Sequence, residues 1–140
     1  MHYQVKTDCE GMNWLAVCEL IKEAGLAVHS VEVTKKAFEN SYRVVFVVHD
    51  GVIIACGRMI SDGVYQAAVY DIAVLPEYQG KKLGKLVMDE LHKKLGDINV
   101  ILYASPGKEA FYQKLGYRKM LTGMAYFTDM NRMRERGFIE

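Results

Sequence analysis

The sequence predicts an α/β (α+β) fold: one central, mostly antiparallel mixed sheet flanked by helices, in a single domain spanning residues 1–140. Three observations predict it. Between Tyr42 and Leu75 three apolar, β-branched runs follow one another, separated by the turn-forming Asp50-Gly51 and Ser61-Asp62-Gly63, and Asp-Gly between two such runs is a strong hairpin signal. On either side lie segments with apolar residues at helical spacing. From Tyr70 to Leu95 a strand breaks at Pro76 and passes through a glycine- and lysine-containing loop directly into a helix, so strands and helices interleave around one sheet.

Composition sets the limits. A chain of 140 residues that is 51% hydrophobic and 25% charged can build one core without covalent staples. The net charge of +1 gives no whole-protein attraction to nucleic acid or an anionic membrane, so any anion binding must be local. No uninterrupted apolar run approaches the roughly 18 residues of a membrane span, and His2-Tyr3-Gln4-Val5-Lys6 alternates like a strand rather than resembling a signal peptide. A cytoplasmic protein is expected. Cys9, Cys18 and Cys56 are odd in number and lack CxxC spacing, which suits small buried hydrophobes in a reducing compartment. His2, His29, His49 and His92 are scattered, and no metal site is expected.

The elements follow in order. Tyr3 to Lys6 reads as a short strand, and Trp14, Val17, Cys18 and Ile21 mark a helix from Asn13 to Ala24, with Asn13 as N-cap and Gly25 as C′ residue. Thr34 is read as the N-cap of a second, shorter helix through Asn40. Tyr42–Val48, Val52–Ile60 and Val64–Leu75 form a three-stranded meander. Leu83, Val87, Leu91 and Leu95 then repeat every fourth residue, with Lys85, Asp89 and Lys93 on an outward row and Gly96 as the stop. Ile98 to Ala104 reads as a buried strand. Ser105-Pro106 opens a helix to Leu115, as a hydroxyl N-cap followed by proline at the first helical position, and Gly116 closes it. Strand-like pieces follow at Tyr117–Met120 and Met124–Phe127, then a surface helix capped by Thr128 and ended by Gly137.

The chemistry is concentrated in the loop before the third helix. A helix start offers backbone N–H groups without intrahelical partners together with the positive end of the macrodipole, which favours an anion. Gly80 and Gly84 permit close approach to the main chain, and Lys81, Lys82 and Lys85 add charge; a phosphate or pyrophosphate is the natural occupant. A P-loop would require GK[ST], whereas Gly80-Lys81-Lys82 lacks the hydroxyl, and GxGxxG is absent.

Strand, then Val74-Leu75-Pro76-Glu77-Tyr78-Gln79-Gly80-Lys81-Lys82-Leu83-Gly84, then helix, resembles the acyl-CoA-binding motif of the GNAT acetyltransferase superfamily: Gln or Arg, two residues, Gly, any residue, Gly or Ala. Gln79 and Gly84 match its ends, while Lys82 stands where the first small residue usually sits. Phe111-Tyr112-Gln113-Lys114-Leu115-Gly116-Tyr117 resembles the family's FYxKxGF signature, with Ser105 where an asparagine often opens the helix. The two motifs cover roughly residues 64–120. Gly57-Arg58, Ser61-Asp62-Gly63 and Tyr70-Asp71-Ile72-Ala73-Val74 are also similar to the branch acting on aralkylamines.

The resemblance implies acetyl-CoA as co-substrate, with the N–H groups of Gln79, Gly80, Lys81, Lys82, Leu83, Gly84 and Lys85 around its pyrophosphate. It also implies that Ile72, Ala73 and Val74 pair with the pantetheine arm, in a gap between that strand and the next, with one N–H aimed at the thioester carbonyl. Ser105 and Tyr112 complete the cofactor side. An alkylamine and a phenol both titrate near 10, so the amine must lose a proton and Tyr112 can donate one to the departing thiolate. On spacing alone Tyr112 is a helix-packing aromatic. Asp71, directly or through water, is the candidate base, with Tyr70 as the alternative; strand alternation turns only one of them to the cleft unless a bulge intervenes. Asp71 also reads as an ion-pair partner or as a binder of the substrate ammonium.

The function expected is N-acetyl transfer to the primary amine of a small molecule by direct attack in a ternary complex. Protein lysine or N-terminal acetylation, and a non-catalytic CoA sensor, are the alternatives. Met124, Met130 and Met133 with Phe127 suit either a pocket wall or a homodimer contact, with tail packing as the plain reading. Lys35-Lys36 and Arg132 to Arg136 read as solvated faces.

Overall fold

In the computed structural model, which describes residues 2–140, the elements run β1 (Gln4–Lys6), α1 (Trp14–Glu23), α2 (Val31–Glu39), β2 (Arg43–His49), β3 (Val52–Ser61), β4 (Gln66–Val74), a 3-10 turn (Pro76–Tyr78), α3 (Leu83–His92), β5 (Asn99–Ile101), α4 (Glu109–Lys114) and α5 (Met130–Glu135). They form two compact units, one ending at Leu102 and the other spanning Tyr103–Glu140.

The first unit is built on a five-stranded sheet in the order β1-β2-β3-β4-β5. Its pairs are antiparallel apart from the parallel β4–β5 pair. Asp50 and Gly51 both adopt positive φ, the twist that joins two antiparallel strands in a two-residue hairpin. At the next turn the Asp62 carboxylate accepts the N–H groups of Val64, Tyr65 and Gln66 at 2.7, 2.9 and 3.1 Å, and these bonds hold its carboxyl below the ordinary carboxylate range.

Strand alternation divides the core. On one face Val17, Leu20 and Ile21 of α1 and Phe38 of α2 pack on Val44, Phe46, Cys56 and Ala73, with Phe38 and Phe46 stacked at 5.4 Å. The other face is covered by α3, whose Leu83, Val87, Met88 and Leu91 are buried. That helix stops at His92 rather than near Leu95. Arg43 of β2 donates to the carbonyls of Leu91, at 2.9 Å, and Lys93, so acceptors that a longer helix would use are satisfied across the sheet.

Other boundaries also move. Helix α2 starts at Val31, because the Ser30 hydroxyl accepts the Val33 N–H at 3.2 Å and is the true N-cap; Thr34 is instead buried inside the helix. The expected β5 of Ile98–Ala104 shrinks to Asn99–Ile101.

In the second unit α4 does not begin at Ser105-Pro106. The Lys108 N–H bonds the Ser105 carbonyl and Gly107 takes φ +90°, which makes a separate turn, and the helix starts at Glu109. The strands expected at Tyr117–Met120 and Met124–Phe127 do not form; these residues join no ladder among the described residues, and β-propensity without a neighbouring strand cannot sustain one. Asp129, not Thr128, caps α5 by accepting the Arg132 N–H at 3.0 Å. Tyr103 packs edge-on against Phe127 and Phe138.

One close approach shapes the first unit. A Cβ at Gly57 would lie 2.5 Å from Ile72 Cδ1 and 2.6 Å from Val87 Cγ1, so only glycine lets α3 settle on β3 while Ile72 fills the space beside it. Gly57→Ala is expected to lower folding stability by about 1–3 kcal/mol, the usual range for an overpacked core, as read from the urea midpoint.

Candidate active site

The strand leading to the anion loop is not regular. Cys56 pairs with Ala73 and Arg58 with Tyr70, so Gly57 alone faces both Asp71 and Ile72, and β4 bulges. Asp71 takes φ +57°, the left-handed conformation that the first residue of one bulge type requires and that Asp tolerates better than most side chains. A bulge breaks alternation. Tyr70 and Asp71, which cannot share a face of a regular strand, both meet Arg58: its Nε donates to Asp71 Oδ2 at 2.6 Å, and its guanidinium lies 5.3 Å from the Tyr70 ring centre. Ile72 falls on the α3 side against Gly57. Ala73 is buried in the opposite core cluster.

Beyond the bulge, β4 leaves its neighbour. Its pairing with β5 covers only Gln66, Ala67 and Ala68, and β4 continues to Val74 along an outer edge that β5 does not cover. Ile72 to Val74, beside which a gap is expected, therefore carry no pairing with β5. Gln79 Nε2 donates to the Val74 carbonyl at 3.1 Å, which closes the loop back on the strand end.

The loop then enters α3. Gly80 has φ +80° with open space where a Cβ would stand. Lys82 is the N-cap at φ +63° and provides no side-chain cap, so the helix start keeps its unpartnered N–H groups in their ordinary state. A left-handed backbone is also what a small residue supplies most easily at that position. The lysine ammonium groups are engaged more locally than expected: Lys81 lies 5.2 Å from the Tyr78 ring centre, and Lys85 pairs with Asp89 at 2.6 Å on the surface. Leu83 is buried and anchors the helix start, with Gly84 in its first turn.

In the second unit the Phe111 to Tyr117 stretch is a helix terminus of defined form. Gly116 at φ +97° bonds Gln113, and the Tyr117 N–H bonds the Tyr112 carbonyl at 3.1 Å, the paired pattern of a Schellman cap with its apolar contact between third-last and second-following residues. Here those residues are Tyr112 and Tyr117, with ring centres 6.0 Å apart, and Phe111 meets Tyr112 edge-on at 4.9 Å. Burial raises the Tyr112 phenol above its ordinary value. Burial, with Tyr112 second, pushes Tyr117 up to about 12. Ser105 sits in the turn before α4 rather than on the helix.

The family model of the acetyltransferase (GNAT) domain matches residues 40–119. The chain belongs to this family. GNAT acetyltransferases use acetyl-CoA as co-substrate, and the residues present suit its pyrophosphate: an uncapped helix start and a glycine with open space where a Cβ would stand. Among curated proteins the chain is 32% identical to serotonin N-acetyltransferase 2, chloroplastic, of Oryza sativa subsp. japonica, over 89% of this chain and 68% of the relative. It is 36% identical to an uncharacterized N-acetyltransferase, ycf52-like, of Prochlorococcus marinus, over 71% of this chain and 59% of that protein. Among solved structures, a Staphylococcus aureus protein of unknown function described as a probable acetyltransferase superposes with a TM-score of 0.82 at 27% identity, covering 91% of this chain and 100% of that one.

Among the described residues no three His, Cys, Asp or Glu side chains gather as metal ligands, and no helix is long and apolar enough to cross a membrane. The three cysteines are free thiols, and burial pushes the Cys56 thiol far up, with Asp71 adding to it.

Sequence reasoning undervalued Arg58. It lies 13 residues from Asp71, so no local spacing joins them; a basic residue inside an otherwise apolar strand was the one available signal.

The tyrosine environment predicts the alkaline behaviour of this terminus. Each phenol is harder to ionise folded than unfolded, so the stabilisation is complete below the unfolded value of about 10 and is lost as pH rises through the folded value, about 12 for Tyr117. Ultraviolet titration is expected to show two late phenolates, and Tyr112→Phe to remove one and ease ionisation of the other.

Proposed function

We propose that the protein transfers the acetyl group of acetyl-CoA to the primary amine of a small molecule, by direct attack in a ternary complex. The observation that carries this reading is the continuity of the β4 bulge, the outer edge of β4 that β5 leaves unpaired and the uncapped start of α3. Together these can receive a reactive carbonyl, an extended arm and an anionic head group in sequence. The identity shared with a serotonin N-acetyltransferase supports an aralkylamine acceptor.

In this reading the main chain of Gln79 to Lys85 holds the pyrophosphate, and Ile72 to Val74 pair with the pantetheine arm. One N–H there faces the thioester carbonyl, where a donor oriented before the reaction stabilises the charge that develops on oxygen. The amine nitrogen forms the new bond to carbon while the carbon–sulfur bond breaks. The departing thiolate takes the Tyr112 proton, and Ser105 adds a hydroxyl on the cofactor side. A phenol titrates near 10 and is protonated at pH 7, so Tyr112 holds a proton to give, although burial raises it further and makes it a weaker acid. The amine proton goes to an acceptor on the bulge side, directly or through a water. Orientation and exclusion of water supply much of the acceleration.

The test is thiol release from acetyl-CoA over a panel of arylalkylamines including serotonin, polyamines, amino acids, amino sugars and lysine peptides. Turnover confined to peptides overturns the small-amine assignment. With a competent amine, initial rates against both substrates are expected to give intersecting lines; parallel lines would reject direct transfer. Tyr112→Phe is expected to reduce turnover by about 10²-fold or more with CoA affinity by calorimetry unchanged, and full turnover would remove Tyr112 from the chemistry.

A further inference from the structure

Asp71 is held at two points in an unusual backbone conformation. Its backbone is left-handed, its carbonyl accepts the Cys56 thiol at 3.5 Å, and its carboxylate takes the Arg58 Nε at 2.6 Å. Arg58 is fixed in turn: its guanidinium lies 5.7 Å from the Phe38 ring centre and 5.3 Å from that of Tyr70, and one terminal nitrogen reaches the Ser41 hydroxyl at 3.5 Å. The two side chains are only 15% and 25% exposed.

We infer that Arg58 is a positioning residue: its ion pair with Asp71 locks the left-handed bulge of β4 and so sets the direction of the Ile72 N–H, and Asp71 serves as the lock rather than as the proton acceptor. The inference rests on the reading that a main-chain donor at Ile72 to Val74 meets the thioester carbonyl.

Two physical arguments favour a lock. A carboxylate that accepts the amine proton is neutralised in every turnover, which would leave the mostly buried guanidinium without its counter-charge, a costly state. A static pair has no such step. Second, a non-glycine residue at positive φ is a strained choice that surrounding contacts must hold, and the contacts here converge on Asp71 from the neighbouring strand. The bulge in turn carries Ile72 into the space left by Gly57, so a change at Arg58 is transmitted to the residue whose N–H matters. Proton acceptance then falls to Tyr70 or to water.

Three variants of the full chain separate lock from base. Asp71→Asn keeps an oxygen for Arg58 and a residue type that tolerates left-handed backbone, but removes the basic group. Arg58→Met keeps an unbranched stem between the rings and removes the cation. Arg58→Met with Asp71→Gly removes both charges while glycine restores the backbone conformation at no steric cost. The readouts are the Ile72 amide resonance on adding acetyl-CoA, and the pH profile, kcat and KM with tryptamine as acceptor.

The expected results are a kcat for Asp71→Asn within about threefold of the parent with an unaltered pH profile, too small a change for loss of a general base. Arg58→Met should lower kcat about tenfold or more with KM for acetyl-CoA little changed and the Ile72 shift abolished, effects too large for a surface pair. The double variant should regain both. Loss of about 10²-fold or more in Asp71→Asn with an altered pH profile would make Asp71 the base and overturn the inference. So would an Ile72 shift preserved in Arg58→Met. If the parent Ile72 amide does not respond to acetyl-CoA at all, the main-chain donor reading fails first, and that outcome is distinct because it appears without any substitution.

Discussion

The first unit depends on the close approach of α3 to β3 at Gly57. A side chain there would occupy the space of Ile72 and Val87, so the missing Cβ does two things at once. It allows the helix that begins at the anion loop to lie close on the sheet, and it leaves one strand residue to oppose two on β4. The bulge and the helix start are therefore set by the same packing constraint. Core interiors are close-packed and stiff, which makes the relation between them fixed rather than adjustable.

Polar groups around that constraint are arranged to be satisfied by partners from other elements. Arg43 reaches across from β2 to the carbonyls at the end of α3, and Arg58 reaches from β3 to the bulged Asp71. Both are cations within a strand that is otherwise apolar, and both terminate on groups whose alternative would be an unpaired acceptor or an unpaired charge, the expensive outcomes in a partly buried setting. By contrast Lys85 and Asp89, both more than half exposed, form an ion pair of little energetic weight. The first unit thus combines rigid main-chain geometry with adjustable surface charge.

Local signals in the chain were readable where the physics is local. The Asp50-Gly51 hairpin, the Asn13 cap, the apolar row of α3 and the glycine closure after Tyr112 all depend on residues within a turn of one another, and each was legible. So was the order strand, loop, helix around Gln79 to Lys85, and with it the family. Boundaries set by competition between nearby caps were less so: Ser30 outranked Thr34, Asp129 outranked Thr128, and the turn at Gly107 postponed α4 despite Ser105-Pro106. The strand-like runs after Gly116 show the converse, since propensity for a strand is realised only against another strand.

What the sequence by itself determined is the chemistry available: a glycine- and lysine-containing loop entering a helix, a tyrosine-bearing helix end, and an acidic residue late in the meander. Tertiary structure alone decided what Asp71 bonds to. Strand alternation turns one of Tyr70 and Asp71 toward a cleft, whereas the observed register inserts a bulge, brings both to Arg58 and ties the carboxylate at 2.6 Å. That outcome follows from pairing between strands and from packing against a helix formed later in the chain, interactions between residues far apart in sequence that no spacing or propensity encodes.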